Sequence, residues 1–504
     1  MDALLTALSL AFGADAILAV MAGSLLGLIF GAIPGLTFSV ALTLVVPMTF
    51  TLSSAPAIGL LLGTYIGGMT GGSVSAILLG IPGTPSAAAT VTDGYAMTRG
   101  GRASLALGTA VIVSAFGGLF SLAVMMVSVD FVARMAIRFG PAEIFALVFF
   151  GLSTICAMSD KSLLRGLIAG VIGLMLMTIG LDELDGVARL TFGSTDMLQG
   201  VNLLVAMIGL FAVPHIIRVF VIHRRGEQKT VRAADVRTEL PSWTLLRRHF
   251  WLMCRCAGLG TGIGAIPGTG GPIAAFLAYD HAQRSSKEPA QFGKGSIEGV
   301  VAPETANNAV TGGAMIPLLA LGIPGDPATA IVLSGLLIHG LVPGPMLFQQ
   351  HPDQIYVIYL VIIFAYVSVL AIQLFGIRFF VHVLRIPAHL LAVGVIVMAA
   401  MGAFSIRNSM FDVYALGVIG LAGYILLRAQ IPLTPIVLGL VLGPTLEREF
   451  RTAMILSEGR FDIFYTSPAA MTFFSLALLI VGLHIRRHFR PVTKARPGLG
   501  DRQA

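Results

Sequence analysis

What this 504-residue sequence has least of is charge: Asp, Glu, Lys and Arg together make up 11% of it, against 56% hydrophobic residues. Soluble domains carry roughly a quarter of their residues charged, so the composition excludes an ordinary water-soluble fold. Lysine and arginine are missing altogether from the first 98 residues, which removes the basic n-region of a cleavable secretory signal. Residues from Met1 onward are therefore expected to be retained. The three cysteines, Cys156, Cys254 and Cys256, fit neither a disulfide framework nor a zinc site, because Cys254-Arg255-Cys256 is too closely set and has no companion cluster. The ten histidines make no H-E-x-x-H or other metal spacing, and no Gly-x-Ser-x-Gly elbow appears. Gly293-Lys294-Gly295-Ser296 has part of the lettering of a phosphate loop but lacks its full spacing and a preceding strand, which argues against nucleotide hydrolysis. Nothing supports an enzyme, and any metal is expected to be Na⁺ at most.

What the sequence has in abundance is apolar runs. Leu105 to Val129, Ile144 to Met158, Gly166 to Leu181, Val357 to Phe375, Leu390 to Phe404 and Met471 to Leu483 are long enough to span a bilayer or nearly so, and the mean hydropathy is +0.89. The reading is an all-α polytopic membrane protein with about ten to twelve transmembrane helices, taking about 20 residues per span. Its net charge of +7 sits mainly in loops and ends, which bears on orientation rather than nucleic-acid binding.

Two apolar stretches are interrupted in the same way. Gly80-Ile81-Pro82-Gly83-Thr84-Pro85-Ser86 and Gly322-Ile323-Pro324-Gly325-Asp326-Pro327 each stop one helix and start another, because Pro-Gly breaks the backbone ladder and Thr-Pro or Asp-Pro restarts it. Each is preceded by a threonine and glycines, Thr70-Gly71-Gly72-Ser73 and Thr311-Gly312-Gly313-Ala314. Further upstream the letters Gly-Ala-Ile-Pro-Gly occur twice, at Gly31 to Gly35 and Gly264 to Gly268, so Pro34, Gly35, Pro82, Pro267, Gly268 and Pro324 mark matched breaks. Duplicated broken helices are the pattern of secondary transporters, with the breaks meeting near the bilayer midplane. The domains read as a first transmembrane repeat at 1–222 (core 31–95, scaffold 103–222) and a basic cytoplasmic linker at 223–249. A second repeat follows at 250–484 (core 258–345, scaffold 355–484), then a basic tail at 485–504. The letters leave open whether the halves are inverted. Gly59, Gly63, Gly67 and Gly71 fall on one helical face and read first as a packing row.

Backbone freed at such breaks can bind ions. A half-helix starting at Thr84 would present N–H groups and the positive end of its dipole to a carboxylate, with the Thr84 and Ser86 hydroxyls adding hydrogen bonds. Gly83, Thr84, Pro85, Ser86, Gly325, Asn307 and Asn308 are the candidate substrate-binding residues. Side-chain and backbone oxygens at Gly80, Gly322, Asp326, Asn308, Thr311 and Thr70 are the candidate cation ligands, hard donors suited to Na⁺. Asp326 would repel an anionic substrate, so it is read either as the cap of its own helix or as a cation ligand.

The run Gly63-Thr64-Tyr65-Ile66-Gly67-Gly68 through Gly80–Pro85 to Asp93-Gly94-Tyr95, with Gly258 to Gly271 and Pro303-Glu304-Thr305-Ala306-Asn307-Asn308 through Gly322–Pro327, resembles TctA. TctA is the large membrane subunit of the tripartite tricarboxylate transporters, and the likeness covers nearly the whole chain. The resemblance implies a multi-pass protein of the bacterial inner membrane that takes up citrate or related carboxylates by cation symport, usually with Na⁺. It also implies a small TctB-like membrane subunit, a periplasmic TctC-like binding protein, and by analogy an elevator-type movement. The competing readings are a self-sufficient organic-anion transporter or channel, and a membrane-embedded enzyme or assembly subunit.

Overall fold

Glycine at every fourth position removes the side chains that hold two helices apart, and the interior is built on that approach. A computed structural model describes residues 2–33, 37–157, 163–182, 184–224, 239–383 and 388–488. In it helix Ser54–Leu79 lies along helix Ala14–Ala32. A Cβ added at Gly63, Gly67 or Gly71 would fall 2.6, 2.3 or 2.6 Å from the carbonyl oxygens of Val20, Ser24 and Leu28. From the other side, Gly23, Gly27 and Gly31 press on the carbonyls of Leu60, Thr64 and Gly68. The glycine row is a packing face. The second half does the same with helix Trp243–Gly264 against helix Glu298–Leu321, where Gly260 and Gly264 meet the Ala306 and Val310 carbonyls.

The two long glycine-rich helices, Ser54–Leu79 and Glu298–Leu321, are almost wholly buried and touch each other. Around them the packing recurs with the halves exchanged. Helix Ala103–Ala136, which follows the first break, packs on Glu298–Leu321 and Trp243–Gly264, while Pro352–Val383, which follows the second, packs on Ser54–Leu79 and Ala14–Ala32. Helix Gly270–Ser285 rests on the turn Pro85–Ala87, and helix Pro327–Ile338 rests on Phe38–Met48. At the periphery Leu203–Arg224 pairs with Met410–Arg428, and Leu163–Met177 with Thr434–Leu456. Each half thus leans on the other throughout.

Six helices among the described residues are long and apolar enough to cross a membrane: Ala14–Ala32, Ser54–Leu79, Ala103–Ala136, Leu203–Val221, Pro352–Gly376 and Met410–Arg428. Shorter apolar helices accompany them, including Phe38–Thr51, Pro141–Thr154 and Pro327–Ile338. Pro34 and Gly35, most of the linker and the residues of the tail beyond 488 lie outside the described residues.

Two polar segments carry local structure of their own. Residues 243–249, assigned to the linker, are helical: Ser242 caps the N-terminus by accepting from the Leu245 N–H at 3.3 Å, and the helix runs on to Gly264. Charge there is carried on the outer face of an amphipathic helix, which composition alone does not separate from a loop. The acidic turn after Leu181 is in turn part of a small antiparallel hairpin, Gly180–Leu181 with Ala188–Arg189. Ion pairs fasten it to helix Thr434–Leu456. Arg189 meets Glu447 at 2.8 Å, and Arg451 meets Asp182 at 2.7 Å and also Asp185. The Leu184 N–H and the Arg451 guanidinium hold the Asp182 carboxyl below its ordinary range.

Candidate substrate and cation site

Each long core helix ends on a glycine in the left-handed region, Gly80 at φ 68° and Gly322 at φ 70°, a conformation that glycine adopts at no steric cost. Past Gly80 the chain turns back on its own helix. A Cβ on Gly83 would lie 2.1 Å from the Gly31 carbonyl and 3.1 Å from the Gly72 Cα, so no larger residue fits. Thr84 then sits extended ahead of the 3₁₀ turn Pro85–Ala87. Its hydroxyl caps nothing; it packs against Gly72 and lies 3.1 Å from the Ser86 hydroxyl. The second break folds the same way. Gly325 backs onto Gly264 and Ala314, and its carbonyl accepts from the Gly268 N–H at 2.7 Å. The Gly-Ala-Ile-Pro-Gly motif at 264–268 is therefore a brace for the break at 322, as Gly31 is for the break at 80.

Asp326 is an N-cap. Its Oδ1 accepts from the Thr329 N–H at 2.8 Å, and its own N–H donates to Thr329 Oγ1 at 2.9 Å, a reciprocal capping box. Its Oδ2 accepts from the Tyr65 hydroxyl, 3.2 Å away on the opposite core helix. Both oxygens of this carboxylate are engaged by the protein.

The other candidates gather where the two core helices cross. Thr70 Oγ1 donates to Asn308 Oδ1 at 2.8 Å, and Asn308 Nδ2 donates to the Glu304 carbonyl at 3.1 Å. Asn307 Nδ2 donates to the Met69 carbonyl at 3.2 Å, which fixes the orientation of the amide. Its Oδ1 is buried and has no hydrogen-bond partner among the described residues. It points at Gly271, where an added Cβ would lie 2.6 Å from it and 3.0 Å from the Ser86 Cβ. Asn307, Gly271 and Ser86 are therefore neighbours, and through Ser86 the group reaches Thr84. Thr311 lies a turn further along, its hydroxyl 2.6 Å from that of Tyr366 and donating to the Asn308 carbonyl. Thr84, Ser86, Asn307, Asn308 and Asp326 are 1, 3, 0, 0 and 6% exposed, so these polar groups are withdrawn from solvent. Cavities open elsewhere.

Two carboxylates with no assigned role also bind the halves together. Glu304, fully buried, accepts from Thr90 Oγ1 at 2.5 Å and from Ser114 Oγ at 3.3 Å. Asp93 Oδ1 accepts three backbone N–H groups, from Gly293, Gly295 and Ser296, at 2.9, 2.8 and 2.8 Å, and Oδ2 accepts from the Tyr279 hydroxyl at 2.8 Å. The partial phosphate-loop lettering does form an anion nest, and the anion is a side chain of the protein itself. Glu304 and Asp93 both stand inside the glycine-rich motifs, but their partners lie 186 to 214 residues away, where a single sequence gives no signal.

Apolar spans enclosing two broken helices, with hydroxyls and amides at the breaks, define a multi-pass α-helical membrane protein with the interior of a transporter component. The chain belongs to the tripartite tricarboxylate transporter TctA family, whose profile matches residues 17–438. It is 36% identical over 443 residues, 87% of each chain, to an uncharacterized 52.8 kDa protein in the TAR-I ttuC' 3' region of Agrobacterium vitis. It is 39% identical over 222 residues, 44% of this chain and 92% of the relative, to an uncharacterized protein in the TAR-II ttuC' 3' region of the same organism. No solved structure matches it.

Proposed function

We propose that this chain is the large transmembrane subunit of a binding-protein-dependent secondary transporter that imports tricarboxylates or related organic acids by cation symport. Na⁺ is the expected ion, and the bacterial inner membrane the expected location. The observation that carries this reading is the unpartnered Asn307 Oδ1 beside Ser86. A buried acceptor without a donor costs about 1–3 kcal/mol, and a cation at that point would relieve it. Thr70 and the carbonyls around the crossing offer further hard oxygen ligands. A cation held there would favour a carboxylate against the Thr84 and Ser86 hydroxyls, and this shared attraction is how one ion couples to one anion. Asp326 belongs to the frame, because its oxygens are occupied by Thr329 and Tyr65. Since these groups are enclosed, entry of substrate requires the core helices to shift against the surrounding spans, which suits an elevator-type movement.

Family membership favours partners of the TctB and TctC type. The test is uptake of labelled citrate and related acids by proteoliposomes containing the chain with the small membrane subunit, with and without the periplasmic protein, under imposed Na⁺ or H⁺ gradients. Uptake that requires both the binding protein and a Na⁺ gradient supports the proposal. Full-rate uptake by the chain alone supports a self-sufficient transporter, and uptake indifferent to every gradient overturns symport.

A further inference from the structure

Helix Trp243–Gly264 carries both tryptophans of the chain, Trp243 and Trp251, and leaves them 77% and 75% exposed. Arg247, Arg248 and Arg255 stand exposed on the same helix. Tryptophan beside arginine is the composition of a helix at headgroup level, where the ring is half-solvated and the cation meets phosphate.

Two openings flank this helix and meet at Trp251. The first, about 480 Å³, is lined by Arg102, Arg248, Arg255 and Lys287, with Glu288 and Glu298 as its acids. Glu298 is approached by His249, whose Nε2 is 3.7 Å from it, and Arg102 donates to the Gly295 carbonyl at 2.9 Å. Four cations against two acids leave the opening an excess of positive charge. The second, about 680 Å³, is mainly apolar, its wall formed by Ile112, Phe116, Trp243, Phe250 and Met253, with Arg247 as its one charged lining residue. Phe250 bridges its sides, 5.9 Å from the Phe116 ring and 5.7 Å from that of Trp251. A soluble anion would use only the basic opening and leave the apolar groove bare. A neutral lipid would use only the groove.

We infer that these two openings form one binding site for an anionic phospholipid, with its phosphate headgroup among Arg248, Arg255 and Lys287 and an acyl chain along Phe116, Trp243 and Phe250. The membrane leaflet is the source of the ligand. The site lies on the helix that braces Glu298–Leu321, so an occupied site would tie that brace to the membrane surface.

Because all the tryptophan lines this site, intrinsic fluorescence reports it without labelling. The full chain in nanodiscs is titrated with phosphatidylglycerol brominated on its acyl chains, and separately with the equally brominated phosphatidylcholine. Quenching severalfold stronger with phosphatidylglycerol, diminishing as NaCl is raised, is the expected result. The double variant R248Q/R255Q is expected to equalise the two lipids while circular dichroism stays unchanged. Equal quenching in the wild type means ordinary annular lipid and overturns the inference. So does the absence of quenching by either lipid, which would mean that protein covers the groove. Loss of the phosphatidylglycerol preference on adding citrate at matched ionic strength would assign the basic opening to a soluble anion instead, and overturns it as well.

Discussion

At the scale of single residues, the crossing of the core helices is where chemistry and packing compete for the same atoms. Asn308 is held on both sides of its amide, by Thr70 and by the Glu304 carbonyl, so Asn308→Leu strands both partners and is expected to cost about 1–3 kcal/mol in thermal stability as well as uptake. Asn307 is different, because only its Nδ2 is used. Asn307→Asp supplies a charged oxygen at the orphaned position and is expected to raise the apparent affinity for Na⁺ while weakening that for the carboxylate. A Na⁺ affinity that falls or stays unchanged in this variant would point away from a cation at that atom. Thr70→Val leaves Asn308 Oδ1 without its donor and is expected to reduce Na⁺-dependent uptake at unchanged expression. Glu304→Gln retains an oxygen for the Thr90 hydroxyl and removes the ionisable group. An ionisable group so deeply enclosed is by default a functional one, and uptake is expected to fall at least tenfold although the protein folds; unaltered uptake would make Glu304 purely structural.

At the scale of elements, legibility followed sequence distance. The breaks, the glycine row and the cap at Asp326 were readable, since Pro-Gly at a helix end, Gly at every fourth position and Asp-Pro at a helix start each act within a few residues. The embrace of Asp93 by Tyr279 and 293–296, the Tyr65–Asp326 contact and the pinned hairpin were not, because each joins residues from 186 to 269 positions apart. The helix that begins within the linker at Trp243 went unread on a related point: arginine count marks polarity, and only the alternation of Arg with Trp, Leu and Phe marks a helix face. Two predictions belong here. Gly67→Val places a Cβ 2.3 Å from the Ser24 carbonyl oxygen, so it is expected to destabilise the helix pair by about 1–3 kcal/mol or prevent folding, measured by thermal melting of the detergent-solubilised protein. For the hairpin, the Asp182 carboxyl is held below its unfolded value, so its contribution to stability is full above the ordinary Asp range and is lost as pH falls through the lower, folded value. Acid melts are expected to show that loss, and Asp182→Asn to flatten it.

At the scale of the whole molecule, the long-range hydrogen bonds run between halves in nearly every case that matters: Thr70 to Asn308, Thr90 to Glu304, Tyr65 to Asp326, Tyr279 to Asp93. The turn after the first break and the helix after the second are each supported by a short helix from the other half. This exchange of supports has a consequence for how the chain can be made. A ribosome that has finished the first 230 residues has produced half of a clasp, with Glu304's hydroxyl partners and Asp326's tyrosine waiting for acids not yet synthesised. If the gene were cut inside the linker and its two products expressed separately, each is expected to be degraded or aggregate; made together in one cell, they are expected to assemble and regain transport.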